Sequence, residues 1–483
     1  MNLGIQILFL GLLFFGFFAV ISQPREKSII AFIIVWFVFP NHTTVIVDLN
    51  GLPLFFVVEI FLVLALWAVV FMYRGDRYSF IGFRHEKFVL KILALTFLVQ
   101  YSVGILMVDI TTNVSSQELT NKRLEGMVHG LAAISYCFAC YKFVRTRHHI
   151  FLILRTFLAL SSILSLELLV SIFGPMSSAI SQYTMRPVGG FFSIFLGDYH
   201  AVGLFSAVGI LSGLYLARTF RKSKYYFAAL ISIFPLIYNF GERATLLAFF
   251  FGFAYLVIMN ISVVKRRIAV SIAAALLVFG ALFFQSLQNA VEGYAQNFAG
   301  DLVDNKGLGK QIVGIASSDS MSVRLGMQVR GLEIIWESLP FGVGEDAVDF
   351  YLQKRSNSTH QNFLGITNGK IVDSYNIVAN GFKRTELHNS YLDIIASYGL
   401  LGMISLILVI KALVSNWRQY LRKSSYYDDD NVGGIIFSLL IFCGIFYFFY
   451  SSPRIYVIFF TLFHITYLLS HDPKLFFKDQ LTH

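Results

Sequence analysis

The sequence predicts an all-α, polytopic membrane protein of about 13 transmembrane helices with one large extracytoplasmic loop, each span needing roughly 20 apolar residues. Three observations carry that expectation. Of the 483 residues, 56% are hydrophobic and only 14% are charged, where a soluble domain carries about 25% charged. The apolar residues, including 51 Phe, fall in successive stretches long enough to cross a bilayer. Basic residues then alternate from loop to loop, as the positive-inside rule requires. The mean hydropathy of +0.68 is that of a lipid-solvated chain.

The expected spans are 3–22, 28–41, 53–72, 88–108, 126–144, 149–173, 199–218, 225–240, 243–262, 267–286, 390–413, 432–450 and 455–470. The first lacks a basic leader and a small-residue cleavage site, so it reads as a retained helix, not a signal peptide. One alternate set of loops holds 21 Lys and Arg, among them Arg74, Arg147, Arg221, Lys265 and Arg418, against 5 in the other short loops. This places the C-terminus inside and the 287–389 loop outside. The Phe-rich composition points to an AT-rich bacterial gene, and the placement to a bacterial inner membrane with a periplasmic loop. The organisation is therefore a bundle of about ten spans over 1–286, the loop 287–389, and C-terminal helices with a short cytoplasmic tail over 390–483.

Charge and cysteine content narrow the function classes. The net charge of +10 belongs to the inner loops and calls for no nucleic acid. Cys137, Cys140 and Cys443 all fall within spans. Cys137 and Cys140 form a CxxC at helical spacing, which reads as small apolar filling, not a redox or zinc pair. The Asp428–Asp430 run reads as a solvated loop. No internal repeat is visible, although inverted repeats are common in transporters.

Ionisable residues on the outward side are few. Arg186 stands in Arg186-Pro-Val-Gly-Gly, Arg243 in Gly241-Glu242-Arg243, and Arg324 and Arg330 on a segment whose Leu325, Val329, Leu332, Ile335, Trp336 and Leu339 recur at helical spacing. That segment predicts an amphipathic helix over 325–339, on the membrane face or packed on the bundle, ended by Pro340 and the Gly342-Val-Gly344 turn. His388 precedes Asn389 at the start of the 390–413 span. Arginine pairs bidentately with phosphate oxygens, and a histidine near its ordinary pKa accepts a proton from a hydroxyl. Together they suit a lipid-linked diphosphate as leaving group and a sugar hydroxyl as acceptor. Each residue also has a plain structural reading. Arg243 can pair with Glu242, Arg186 can bind phospholipid headgroups, Arg330 can be a solvated helix residue, and His388 can be a helix-start residue.

The stretch Ser322-Val-Arg324 … Trp336-Glu-Ser-Leu-Pro340-Phe-Gly342-Val-Gly344, followed by His388-Asn389-Ser-Tyr-Leu392 … Tyr398-Gly399-Leu-Leu-Gly402, resembles the signature of the O-antigen ligase and Wzy-type polymerase superfamily. Arg186-Pro-Val-Gly189 and Gly241-Glu242-Arg243 resemble its two other arginine motifs. The family often has Ser where Glu242 stands. The resemblance covers roughly 180–405 and implies a GT-C-like membrane glycosyltransferase. Its donor would be an undecaprenyl-diphosphate-linked glycan, with no metal, nucleotide sugar or other cofactor. Arg243 and Arg324 would bind the diphosphate, Arg186 would line the donor cavity, and His388 would activate or orient the acceptor hydroxyl. Activity would rest first on His388 and Arg324, with Arg330, Glu242 and Asn389 completing the substrate contacts. Polymerisation of repeat units for O-antigen, capsule or exopolysaccharide leads. Ligation to lipid A–core or protein comes second, and a flippase for lipid-linked oligosaccharide third. Membrane lipid is the surrounding partner, and a polymerase leaves room for a chain-length regulator protein.

Overall fold

The computed structural model describes residues 11, 14–23, 25–38, 48–49, 52–72, 131–144, 146–173, 185–186, 190–191, 199–238, 243–259, 328, 331–344, 348, 387, 389–427, 432–449 and 456–471. They are almost entirely helical. The helices are α1 (14–21), α2 (Arg25–Val38), α3 (Leu54–Met72), α4 (Leu131–Phe143), α5 (Arg147–Phe173), α6 (Tyr199–Phe220), α7 (Ser223–Ile231), α8 (Ile233–Tyr238), α9 (Arg243–Met259), α10 (331–338), α11 (Ser390–Tyr427), α12 (Val432–Phe449) and α13 (Tyr456–His471). Two small antiparallel ladders, unforeseen in the all-α expectation, join β1 (Asp48–Leu49) to β2 (Leu52–Pro53) and β3 (Met185–Arg186) to β4 (Gly190–Phe191). Among the described residues, Arg147–Phe173, Ala201–Phe220 and Ser390–Arg422 are long and apolar enough to cross a membrane, and six shorter apolar helices accompany them.

The boundaries follow the apolar stretches, except that α11 runs on past the expected 413 to Tyr427 and one expected span divides. The expected span 225–240 is two short helices, α7 and α8, interrupted at Ser232. Pro235 explains the break. A proline ring clashes with the carbonyl four residues back and has no N–H to give, so the helix must restart with Pro235 in its first turn. Ser232 closes α7, both its N–H (3.0 Å) and its Oγ (2.9 Å) donating to the Ala228 carbonyl. The spans 88–108 and 267–286, and most of the 287–389 loop, lie outside the described residues.

One apolar core holds the bundle together, with Phe32, Phe37, Tyr136, Phe157, Phe205, Phe442 and Phe446 fully buried. Helices in lipid gain little from apolar burial against each other, so close backbone approach and hydrogen bonding take over. A Cβ on Gly209 would collide with Ser161 of α5, and one on Gly213 would stand 2.8 Å from Ala229 Cβ. These seats let α6 lie flush against α5 and α7. Polar side chains inside helices are satisfied locally, which apolar surroundings demand. Thr156 donates to Leu152 O (2.9 Å), Ser162 to Leu158 O (2.9 Å) and Ser171 to Glu167 O (2.8 Å). Between helices, Tyr136 and Thr461 share a 2.6 Å hydroxyl contact, and His464 Nε2 lies 2.8 Å from Val144 O. Cys137, Cys140 and Cys443 are buried and unpaired by disulfide, in keeping with the filler reading.

Candidate glycan-transfer site

The helix starts nearest the sequence-predicted residues gather at one end of the bundle. Gly203, in the first turn of α6, meets the Thr245 side chain in the first turn of α9, where a Cβ would be 2.9 Å from Thr245 Cγ2. At the opposite end, Trp417 Nε1 donates to Tyr255 Oη (3.0 Å), so α9 and α11 run in the same direction. α12 runs against α11. The Tyr391 hydroxyl donates to Gly444 O (2.7 Å), while Tyr420 packs on Phe437 and its ring occupies the space a Cβ on Gly433 would need. Gly252 of α9 lies between Ser438 and Phe442 of α12. Gly444 is therefore level with the first two turns of α9. Tyr391 is thus held, through α12, at the level where α9 begins.

β3 and β4 form a hairpin whose register pairs Arg186 with Gly190. The first and last residues of the Arg-Pro-Val-Gly-Gly motif are thus partners across the ladder. The hairpin's second strand lies against α6 and α8. Arg186 thus stands, by backbone position, beside the helix that leads into Arg243.

The tightest part of the site joins two separated halves of the sequence signature. α11 is not continuous, because Gly399 takes φ 56°, ψ −138°, which breaks the helical ladder. A broken ladder orphans carbonyls and amides. Here the Pro340–Gly344 loop satisfies them. Val343 N–H donates to Ala396 O (2.9 Å), Gly344 N–H to Ser397 O (3.0 Å), and Leu400 N–H to Pro340 O (2.8 Å). Gly342 has φ 78° and Gly344 φ 97°, conformations that residues with a Cβ rarely adopt. A Cβ on Gly342 would collide with the Ser397 carbonyl, and one on Gly399 with the Pro340 carbonyl. The two strands of chain approach backbone to backbone because neither has a side chain in the way.

α10 ends into that loop as the sequence indicates, with Phe341 N–H (3.1 Å) and Gly342 N–H (2.9 Å) both donating to Ser338 O. Of its apolar residues, Leu332, Trp336 and Leu339 are exposed, Trp336 by 64%. Its opposite face buries Ile334 and, unexpectedly, the Glu333 carboxylate, only 4% exposed. Sequence reasoning passed over Glu333. The available signal was its place between Gly331 and Ile334, on the face away from the Leu–Trp stripe.

Gly331 is buried against Leu387, with a Cβ there only 2.7 Å from Leu387 Cδ2. Leu387 is fully buried. Asn389 begins α11 as its N-cap, its Oδ1 accepting from Tyr391 N–H (3.1 Å) and Leu392 N–H (3.2 Å), and its carbonyl from Asp393 N–H (3.0 Å). A side-chain oxygen at this position satisfies amides that have no helical partner. The role found for Asn389 is thus structural, 4% exposed. His388, Arg324, Arg330 and Glu242 lie outside the described residues. Of Arg243 and Arg186, the backbone is described.

Residues 227–407 match the model of the O-Antigen ligase family, Wzy_C. The match runs from α7 through the long loop into α11 and takes in Arg243, Arg324, Arg330, His388, Asn389 and both glycine motifs. It supports the superfamily resemblance drawn from those motifs. No curated protein matches the chain.

Proposed function

We propose that the chain is a membrane glycosyltransferase of the O-antigen ligase and polymerase type, and that its reaction is polymerisation of lipid-diphosphate-linked repeat units. At the coarse level the family match supports an integral membrane enzyme acting on lipid-linked glycans. The observation that carries the finer reading is the joint between Pro340–Gly344 and Gly399. It ties the segment after α10 to the helix that follows His388, while Gly331 and Leu387, the chain neighbours of Arg330 and His388, are in contact.

In this reading the growing chain is the donor. Arg243 and Arg324 hold its undecaprenyl diphosphate and stabilise the charge that develops as the sugar–phosphate bond breaks. Arg186 lines the donor cavity. His388 takes the proton from the acceptor hydroxyl of the incoming repeat unit. A bond forms between that oxygen and the anomeric carbon, and the lipid diphosphate leaves. Glu242 sits beside Arg243 in sequence and tunes it. The fixed frame contributes proximity and orientation, which account for a large share of such barriers.

Purified protein given a synthetic lipid-linked repeat unit, with no nucleotide sugar and no added metal, should yield longer glycans. His388→Ala and Arg324→Ala should abolish them while the protein still inserts and accumulates, and Arg330→Ala should be milder. Normal chain length from both first variants defeats the assignment. The matched family's own name favours a second reading, ligation of finished glycan to lipid A–core or protein. A deletion strain separates the two. Single capped repeats mark a polymerase, and no repeats on the core mark a ligase.

A further inference from the structure

We propose that the basic end of the bundle, opposite the glycan-transfer site, holds the phosphate of an anionic phospholipid at a cluster of basic and aromatic side chains around Arg155. This inference does not depend on the glycosyltransferase reading. Arg155 lies eight residues into α5, about 12 Å along the helix from its start at Arg147. A charge at that depth in a membrane helix is costly and ordinarily finds a partner. The partners present are aromatic. Its guanidinium carbon lies 4.7 Å from the Phe220 ring centroid and 5.9 Å from that of Tyr225. Its Nε is buried without a hydrogen-bond partner among the described residues.

Lys224 places its Nζ 5.3 Å from the same Tyr225 ring. Neither cation makes an ion pair among the described residues. Two positive charges against one ring, without an ion pair among the described residues, repel each other, and an anion between them converts the repulsion into attraction. Cation–π contacts use none of the guanidinium N–H groups, so its terminal Nη donors are left for the planar, bidentate recognition of phosphate oxygens.

The turn between α6 and α7 strengthens the case. Arg221 has φ 51°, a left-handed conformation at a helix end where glycine or asparagine is the usual choice. The chain keeps an arginine there despite its Cβ and follows it with Lys222. Lys222 also occupies the N-cap of α7 with no side-chain capping hydrogen bond. Both residues are exposed.

An adjoining apolar surface selects a lipid over a soluble phosphate. Directly beyond the cations, α7 and α8 expose Tyr226 (52%), Phe227 (64%), Leu230 (60%) and Phe234 (51%). A ligand that satisfies both parts has an anionic head and long apolar tails, and basic pockets between membrane helices take such headgroups.

The test is native mass spectrometry of the full chain in detergent, titrated with phosphatidylglycerol, with phosphatidylcholine, and with phosphatidylglycerol in excess inorganic phosphate. Wild type should retain phosphatidylglycerol over phosphatidylcholine and keep it in the presence of phosphate. Arg155→Gln should weaken phosphatidylglycerol binding about ten-fold or more, as the loss of one charge-assisted contact implies. Lys224→Gln alters only an exposed side chain and should weaken it several-fold even if Arg155→Gln fails to accumulate. Wild-type affinity in Lys224→Gln, equal retention of the two lipids, or displacement of the lipid by phosphate each overturns the proposal.

Discussion

Gly399→Ala should uncouple the loop from α11 without unfolding the bundle. The added methyl has two costs. At φ 56°, ψ −138° a residue with a Cβ is strained by about 1–3 kcal/mol. The Cβ would also overlap the Pro340 carbonyl and stand 2.6 Å from Gly342 N, so the loop must retreat. Retreat breaks the three hydrogen bonds at 2.8, 2.9 and 3.0 Å, each contributing about 0.5–1.5 kcal/mol net. The joint is therefore weakened by about 2.5–7.5 kcal/mol, and even the lower figure shifts the balance toward the open state about 70-fold. Hydrogen exchange at Val343, Gly344 and Leu400 should accelerate by at least that factor, while amides in α5 and α6 keep their protection. Glycan elongation should fall in parallel. Gly444→Ala serves as the control, since its nearest neighbour is Tyr391 Oη at an ordinary 3.6 Å. Unchanged exchange at the three amides in Gly399→Ala, together with wild-type product, would refute the idea that this joint frames the site.

Other substitutions probe the same frame from different sides. Asn389→Ala removes the α11 cap and should cost about 0.5–2 kcal/mol, read as a lower thermal midpoint, with Asn389→Asp recovering most of it. Tyr391→Phe deletes the 2.7 Å bond to Gly444 O, worth about 1 kcal/mol. Because it frees the start of α11, kcat should fall several-fold with little change in KM or thermal midpoint, whereas an equal loss in all three would reduce Tyr391 to a stability residue. His464→Leu exchanges a buried interhelical contact to Val144 O for apolar bulk, and glycan elongation should persist in whatever protein accumulates. Complete loss of elongation in well-folded His464→Leu would give that residue a part in activity beyond packing.

How far the sequence revealed this molecule depended on the kind of physics involved. Helix positions were legible because lipid imposes length and apolarity on every span, and Leu54–Met72, Tyr199–Phe220 and Val432–Phe449 fall within a few residues of expectation. The 225–240 stretch divides because proline chemistry at Pro235 overrides its hydropathy. The continuation of α11 to Tyr427 past the apolar stretch escaped notice because helix propensity, not hydropathy, extends it into the basic segment. The glycine motifs were legible as motifs, but nothing in their spacing said that residues 340–344 and 396–400 bond to one another. Tertiary hydrogen bonds between backbones leave no side-chain signal beyond the glycines that permit them. Asn389 caps α11 through its Oδ1, a role the sequence leaves open, since an Asn before an apolar run serves either a cap or a substrate contact.

That last ambiguity has a physical resolution. A residue that must reach a lipid diphosphate at the membrane surface needs a rigid mount whose position does not depend on a long loop, and the start of a membrane helix is such a mount. Arg243 opens α9, and Asn389 opens α11 directly after His388. The Arg186 hairpin rests on α6 and α8. Arg330 immediately precedes the described turns of α10, whose other end is bonded to α11 at Gly399. The candidate residues are thus mounted on four separate elements, fixed to each other by Gly203 against Thr245, Tyr391 against Gly444, Gly331 against Leu387, and the joint at Gly399. Except at Gly444, where a hydroxyl bonds a backbone carbonyl, each tie needs its glycine for close approach. It follows that the site's precision is set by these small-residue contacts, at a distance from any group that would touch substrate. Enlarging Gly203 or Gly331 should therefore impair transfer as severely as removing a charged residue, even though neither position carries any chemistry of its own.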